Sequence, residues 1–176
     1  MGEGSVWFVE NYVLNELIST GKKPFFWRLG FDEIIKEEKT MTKERVRECL
    51  IKALEEMEKK AKAMKIQGVG VGSVLNKGES VDWIGEMKVV ETPFNLKEGW
   101  NLVAIAWSKC GEAMATEADS GNPDHEKIMG ECGFVGGAFE EFEGYKLAFA
   151  FSGALSEEDL EVAKHGIEVM KRELGD

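Results

Sequence analysis

The sequence has few of the imidazole and thiol groups with which proteins ligate transition metals or build nucleophilic centres: of 176 residues, 2 are histidine and 3 are cysteine. Cys49, Cys110 and Cys132 are odd in number and widely spaced, which fits a reduced, cytoplasmic protein better than a disulfide framework. No apolar run approaches the ~18 residues a membrane span needs, and Glu3 and Glu10 stand where a secretory leader would be basic. Neither a transmembrane helix nor a signal peptide is therefore expected. Positive charge is scarce too. Against 33 Asp+Glu there are 22 Lys+Arg, a formal net charge of −11, which removes nucleic acid and anionic membrane surfaces from the expected partners.

What is present is ordinary globular material, 43% hydrophobic and 31% charged, with no repeat, low-complexity tract or linker to divide it. Residues 6–19 are helix-compatible but apolar almost all round, from Val6 and Trp7 to Leu17 and Ile18, and such a helix must be covered. The cluster Phe25, Phe26 and Trp27 follows, then a short charged helix over 32–39. Residues 1–40 thus read as an ordered helical and aromatic extension packed on the domain formed by 41–176. Thr42 is placed to cap a helix over 43–64, in which Val46, Leu50, Ala53, Met57, Ala61 and Met64 recur at three or four residues. Strand patterning takes over at 66–75 and 80–90 around an Asn76-Lys77-Gly78 turn, a hairpin. A helix over 101–118, a loop over 119–124, a second hairpin turning at Glu143-Gly144, and a last helix led by Ser156 and three carboxylates complete the chain. This order predicts an α+β fold, an antiparallel sheet with helices packed on it.

Candidate chemistry is thin. Ser73 stands where the last glycine of a dinucleotide fingerprint begun by Gly68 and Gly70 belongs, and Gly68, Gly70 and Gly72 sit inside a strand, so small residues admitting a close helix are the better reading. His125 lies among Asp119, Asp124 and Glu126, an incomplete metal set, and no metal site is expected. Cys110 falls on an apolar helix stripe and reads as a packing thiol. No acid, base and nucleophile can be grouped, so catalysis is the least supported class.

Four stretches carry a family resemblance. They are the helix opening Met41-Thr42-Lys43-Glu44 with its Gly-containing strand turn, Ala106-Trp107-Ser108-Lys109-Cys110-Gly111-Glu112-Ala113, Gly136-Gly137-Ala138-Phe139, and Ala148-Phe149-Ala150-Phe151-Ser152-Gly153-Ala154 followed by Glu157, Glu158 and Asp159. In order and spacing they resemble the GlcG/HbpS-like (haem-degrading, DUF336; PduO C-terminal-like) family over about three quarters of the chain. Phe139, Ala148 and Cys110 depart from that pattern. The resemblance implies a profilin-like antiparallel sheet of about five strands flanked by helices, and a homo-oligomer. It also implies a small-molecule-binding protein, with haem or another tetrapyrrole the first ligand to test; the alternative is a non-catalytic assembly or adaptor protein. The implied ligand-binding residues are Ser108, Lys109, Gly136, Gly137, Ser152 and Gly153. Lys109 would serve a carboxylate or propionate, and His125, Met129 and Cys132 are the candidates for an iron ligand. The alternative for these positions is that the glycines serve turns and Lys109 is a solvated helix residue.

Overall fold

Thr42, with extended backbone, accepts a hydrogen bond from Arg45 N at 3.3 Å and starts α1 (Lys43–Met64). Val46, Leu50, Ala53, Met57 and Ala61 are buried along one side of it. The helix stops where Lys65 turns left-handed and its N–H returns to the Ala61 and Lys62 carbonyls. The computed structural model describes residues 41–76, 83–91 and 99–175. The expected N-terminal extension, its helices at 6–19 and 32–39, and positions 77 and 78 of the first hairpin turn lie outside the described residues.

β1 (Gly68–Asn76) pairs antiparallel with β2 (Trp83–Val90), Gly68 facing Val90 and Leu75 facing Trp83. On its other side β1 pairs with β4 (Tyr145–Ser152), which forms the second hairpin with β3 (Gly137–Phe142). The link between them, Glu143-Gly144, has φ of +46° and +83°, as a two-residue hairpin turn matched to strand twist requires. The sheet order is β2-β1-β4-β3, all antiparallel, which gives four strands among the described residues where about five were expected.

Side-chain alternation divides the two faces. Val69, Val71, Ala148 and Ala150 point to α2 (Leu102–Thr116) and meet Ala106, Cys110, Ala113 and Met114 there. The opposite face carries α1 and α3 (Ser156–Gly175). The alternating glycines of β1 do a different job from the one expected of them. A Cβ on Gly72 would stand 2.6 Å from the Phe149 ring and 2.7 Å from Leu50, so the vacated space holds a cross-strand aromatic ring and an α1 side chain. Gly166 of α3 makes room in the same way: an added Cβ there would meet Met57 Sδ at 2.5 Å and the Phe149 ring at 2.7 Å.

The expected packing thiol is found. Cys110 Sγ is buried, 3.3 Å from the Ala148 carbonyl and 3.4 Å from Ser73 Oγ, and burial pushes its pKa up to about 11. Cys132 is only half-buried. Alkylation with iodoacetamide at neutral pH is therefore expected to label Cys132 and spare Cys110 until the chain unfolds. Labelling of Cys110 at the rate of Cys132 in the native protein would contradict this packing.

Candidate functional site

Three chain segments meet at the end of the sheet where β4 finishes and β1 begins. Asn101 caps α2, its side chain accepting from Ala104 N at 3.0 Å, and this sets the helix phase so that Leu102, Ile105 and Lys109 share a side. That side faces the turn Ser152-Gly153-Ala154 and the first turn of α3. Between them is a pocket of about 410 Å³, within the range of small-molecule sites. Trp100 and Phe134 form its rim as an edge-to-face pair with centroids 6.1 Å apart; they are 55% and 42% exposed.

The floor is an ion pair. Lys109 Nζ lies 2.6 Å from Asp159 Oδ2 and donates to the Phe151 carbonyl at 2.9 Å, and both side chains are only 4% exposed. Asp159 Oδ1 accepts from Ala154 N at 3.1 Å. One carboxylate thus ties the β4–α3 turn to α2. Its burial raises the Asp159 pKa above the ordinary carboxylate value, against the lowering effect of the Lys109 ammonium and the backbone donors. One residue earlier, Glu158 Oε2 accepts from Leu155 N at 3.1 Å. Ser156, expected to cap this helix, is its first residue, and the chain's own carboxylates satisfy the amides ahead of it.

The six residues implied by the resemblance are distributed around this point in different roles. Lys109, Ser152 and Gly153 line the pocket. Gly136 and Gly137 lie behind Lys109: a Cβ on Gly136 would stand 2.7 Å from Lys109 Nζ, and one on Gly137 would stand 2.6 Å from the Lys109 carbonyl oxygen. Gly136 also has φ of +129°, which side chains rarely adopt. Ser108 faces elsewhere. Its hydroxyl donates to the Gly130 carbonyl at 3.1 Å and accepts from Cys132 N at 2.9 Å, holding the loop before β3. Of the two alternatives for Lys109, burial removes the solvated one.

Glu112 anchors that same loop from the interior, accepting from Gly121 N at 2.7 Å and from Gly133 N at 3.2 Å, next to the rim residue Phe134. His125 does not gather the carboxylates that precede and follow it. Its Nε2 lies 2.7 Å from Glu131, while Asp119 accepts from Phe139 N and pairs with Lys164. Among the described residues no three His, Cys, Asp or Glu side chains converge as metal ligands.

Sequence reading did not single out Asp159, Trp100, Leu102, Ile105 or Phe134 as site residues. For Asp159 a signal was present. It falls in phase with Val162, Gly166 and Met170, and a carboxylate on an apolar helix stripe needs a buried partner.

No protein-family model matches the sequence, and no curated protein matches it either. Solved structures do match. A double mutant of Streptomyces reticuli HbpS is similar over 69% of this chain and 84% of its own, at 19% identity and a TM-score of 0.52. Klebsiella pneumoniae ORFY, described as DUF336, is similar over 71% and 87% at 18% identity and a TM-score of 0.49. A PduOC:heme complex is similar over 73% and 94% at 14% identity and a TM-score of 0.44. The chain has the α+β fold of the HbpS structure, the fold that its motifs led one to expect.

Proposed function

We propose that this chain is a small-molecule-binding protein whose ligand occupies the pocket between α2, the end of β4 and the first turn of α3. The observation that carries this reading is the pocket's construction: an aromatic rim open to solvent above a closed polar floor, in a fold shared with HbpS. Catalysis has less support. Lys109 and Asp159 engage each other, and among the described lining residues none pairs a nucleophile with a free base.

Haem is the ligand raised by the motif resemblance, and its fit can be tested on the lining. Among the described residues around the pocket there is no His, Met, Cys or Tyr to bind an iron, and the one cation, Lys109, already holds Asp159. The donor set does not fit an iron-ligated haem at this position. A tetrapyrrole here would be held by ring contact with Trp100 and Phe134. The test is a thermal-shift screen of the full chain with small aromatic and heteroaromatic compounds, haem included. Stabilising compounds are expected, and Trp100→Ala should abolish their effect. A screen whose hits are unchanged by that substitution would overturn the assignment.

A second reading, self-assembly, is favoured by a separate observation. The edge strand β2 leaves Trp83 49% exposed and Met87 exposed beside it on the same face. We infer a homodimer or larger, so light scattering at micromolar concentration should return at least twice the chain mass. A stable monomer would contradict it.

A further inference from the structure

We infer that the pocket selects an uncharged planar aromatic ligand over an anionic one, an inference that rests on the small-molecule-binding reading above. Three features of the site point the same way. The first is that its cation is not available. Lys109 is the one cation among the described lining residues, and it is held by Asp159 at 2.6 Å and by the Phe151 carbonyl at 2.9 Å. Lys127, which lies across Gly133 beside the rim, is exposed and outside the lining.

The second feature is the start of α3, where amides would ordinarily favour an anion. Ala154 N donates to Asp159 and Leu155 N to Glu158, so the positive end of the helix already faces two carboxylates of its own chain. An incoming anion would meet them at close range in a protein of net charge −11. Among the described residues no buried side-chain nitrogen or oxygen lacks a hydrogen-bond partner, so no buried polar group is left waiting for a ligand charge.

The third feature is the wall opposite. Trp100 and Phe134 present ring faces and edges at the mouth, Leu102 and Ile105 continue that surface inward, and the hydroxyls of Ser152 and Ser156 supply neutral polar contacts. A flat ring can lie along this apolar surface while its polar edge meets the hydroxyls. A carboxylate on the same ring would lose its hydration without gaining a cation.

The experiment compares two probes of one ring system, 2-naphthamide and 2-naphthoate, by calorimetric titration of the full chain at neutral pH. The amide is expected to bind about tenfold more tightly or better, a difference of about 1.4 kcal/mol. Asp159→Asn leaves Lys109 without its counter-charge, so in that variant the naphthoate should gain affinity and the gap should close or reverse. Should Asp159→Asn fail to fold, the wild-type comparison alone still decides, together with Trp100→Ala, which should weaken the amide about tenfold. Naphthoate binding as tightly as the amide overturns this inference and leaves the binding reading standing. Binding of neither probe, with other compounds of the screen still seated at the pocket, overturns it as well. A screen without any Trp100-dependent hit removes the binding reading itself.

Discussion

Lys109→Met is expected to lower the stability of the chain by about 3–5 kcal/mol, because it leaves the Asp159 carboxylate buried without its counter-charge and the Phe151 carbonyl without its donor. The same logic predicts recovery. In Lys109→Met/Asp159→Leu both charges are gone and apolar groups of similar volume fill the space, so the part of the loss due to the unpaired carboxylate should be regained, less the cost of freeing Ala154 N, while the Phe151 carbonyl stays without its donor. Urea denaturation of wild type, Lys109→Met and the double variant measures the loss and its recovery. A single variant within about 1 kcal/mol of wild type would mean that the pair is solvated, contrary to its burial.

Gly137→Val is expected to cost about 2–5 kcal/mol or to prevent folding. Its Cβ would stand 2.6 Å from the Lys109 carbonyl oxygen and 2.8 Å from Ser120 Oγ. The latter atom accepts from Gly137 N at 2.8 Å and donates to the Phe134 carbonyl at 2.8 Å, so the substitution strains a packed contact and a hydrogen-bond relay together. Gly111 gives the contrast. Among the described residues nothing lies within 4 Å of a Cβ added there, and it sits within α2, so Gly111→Ala should stabilise by about 0.5–1 kcal/mol. Equal effects of the two substitutions on the melting temperature would show that the β3–α2 contact is loose.

These two positions also show how much of the molecule was legible beforehand. Thr42, Asn76 and Glu143-Gly144 are local signals, caps and turns whose chemistry acts within a few residues, and the elements they bound are found close to where they were read. Periodicity likewise marked both hairpins and all three described helices. Pairing between distant residues was less visible. Asp159 was read as an acid suited to a helix dipole, and only the fold shows its carboxylate meeting a lysine 50 positions earlier. The β1 glycines lie inside a strand, as their pattern implied, but their neighbours depend on register: Gly72 faces Phe149 across the ladder, which no local pattern encodes. Lys109, Ser152 and Gly153 gather at the pocket, whereas Ser108, one residue from Lys109, turns by the helical angle to the loop at 130–132.

The most direct test of the binding account is amide and indole NMR of the isotope-labelled full chain during titration with the compounds that stabilise it. Saturable shifts confined to Gly153, Ala154, Ser156 and the Trp100 indole are the predicted result. Shifts absent from those signals, or concentrated instead on the β2 edge at Trp83 and Met87, would contradict it and favour the assembly reading.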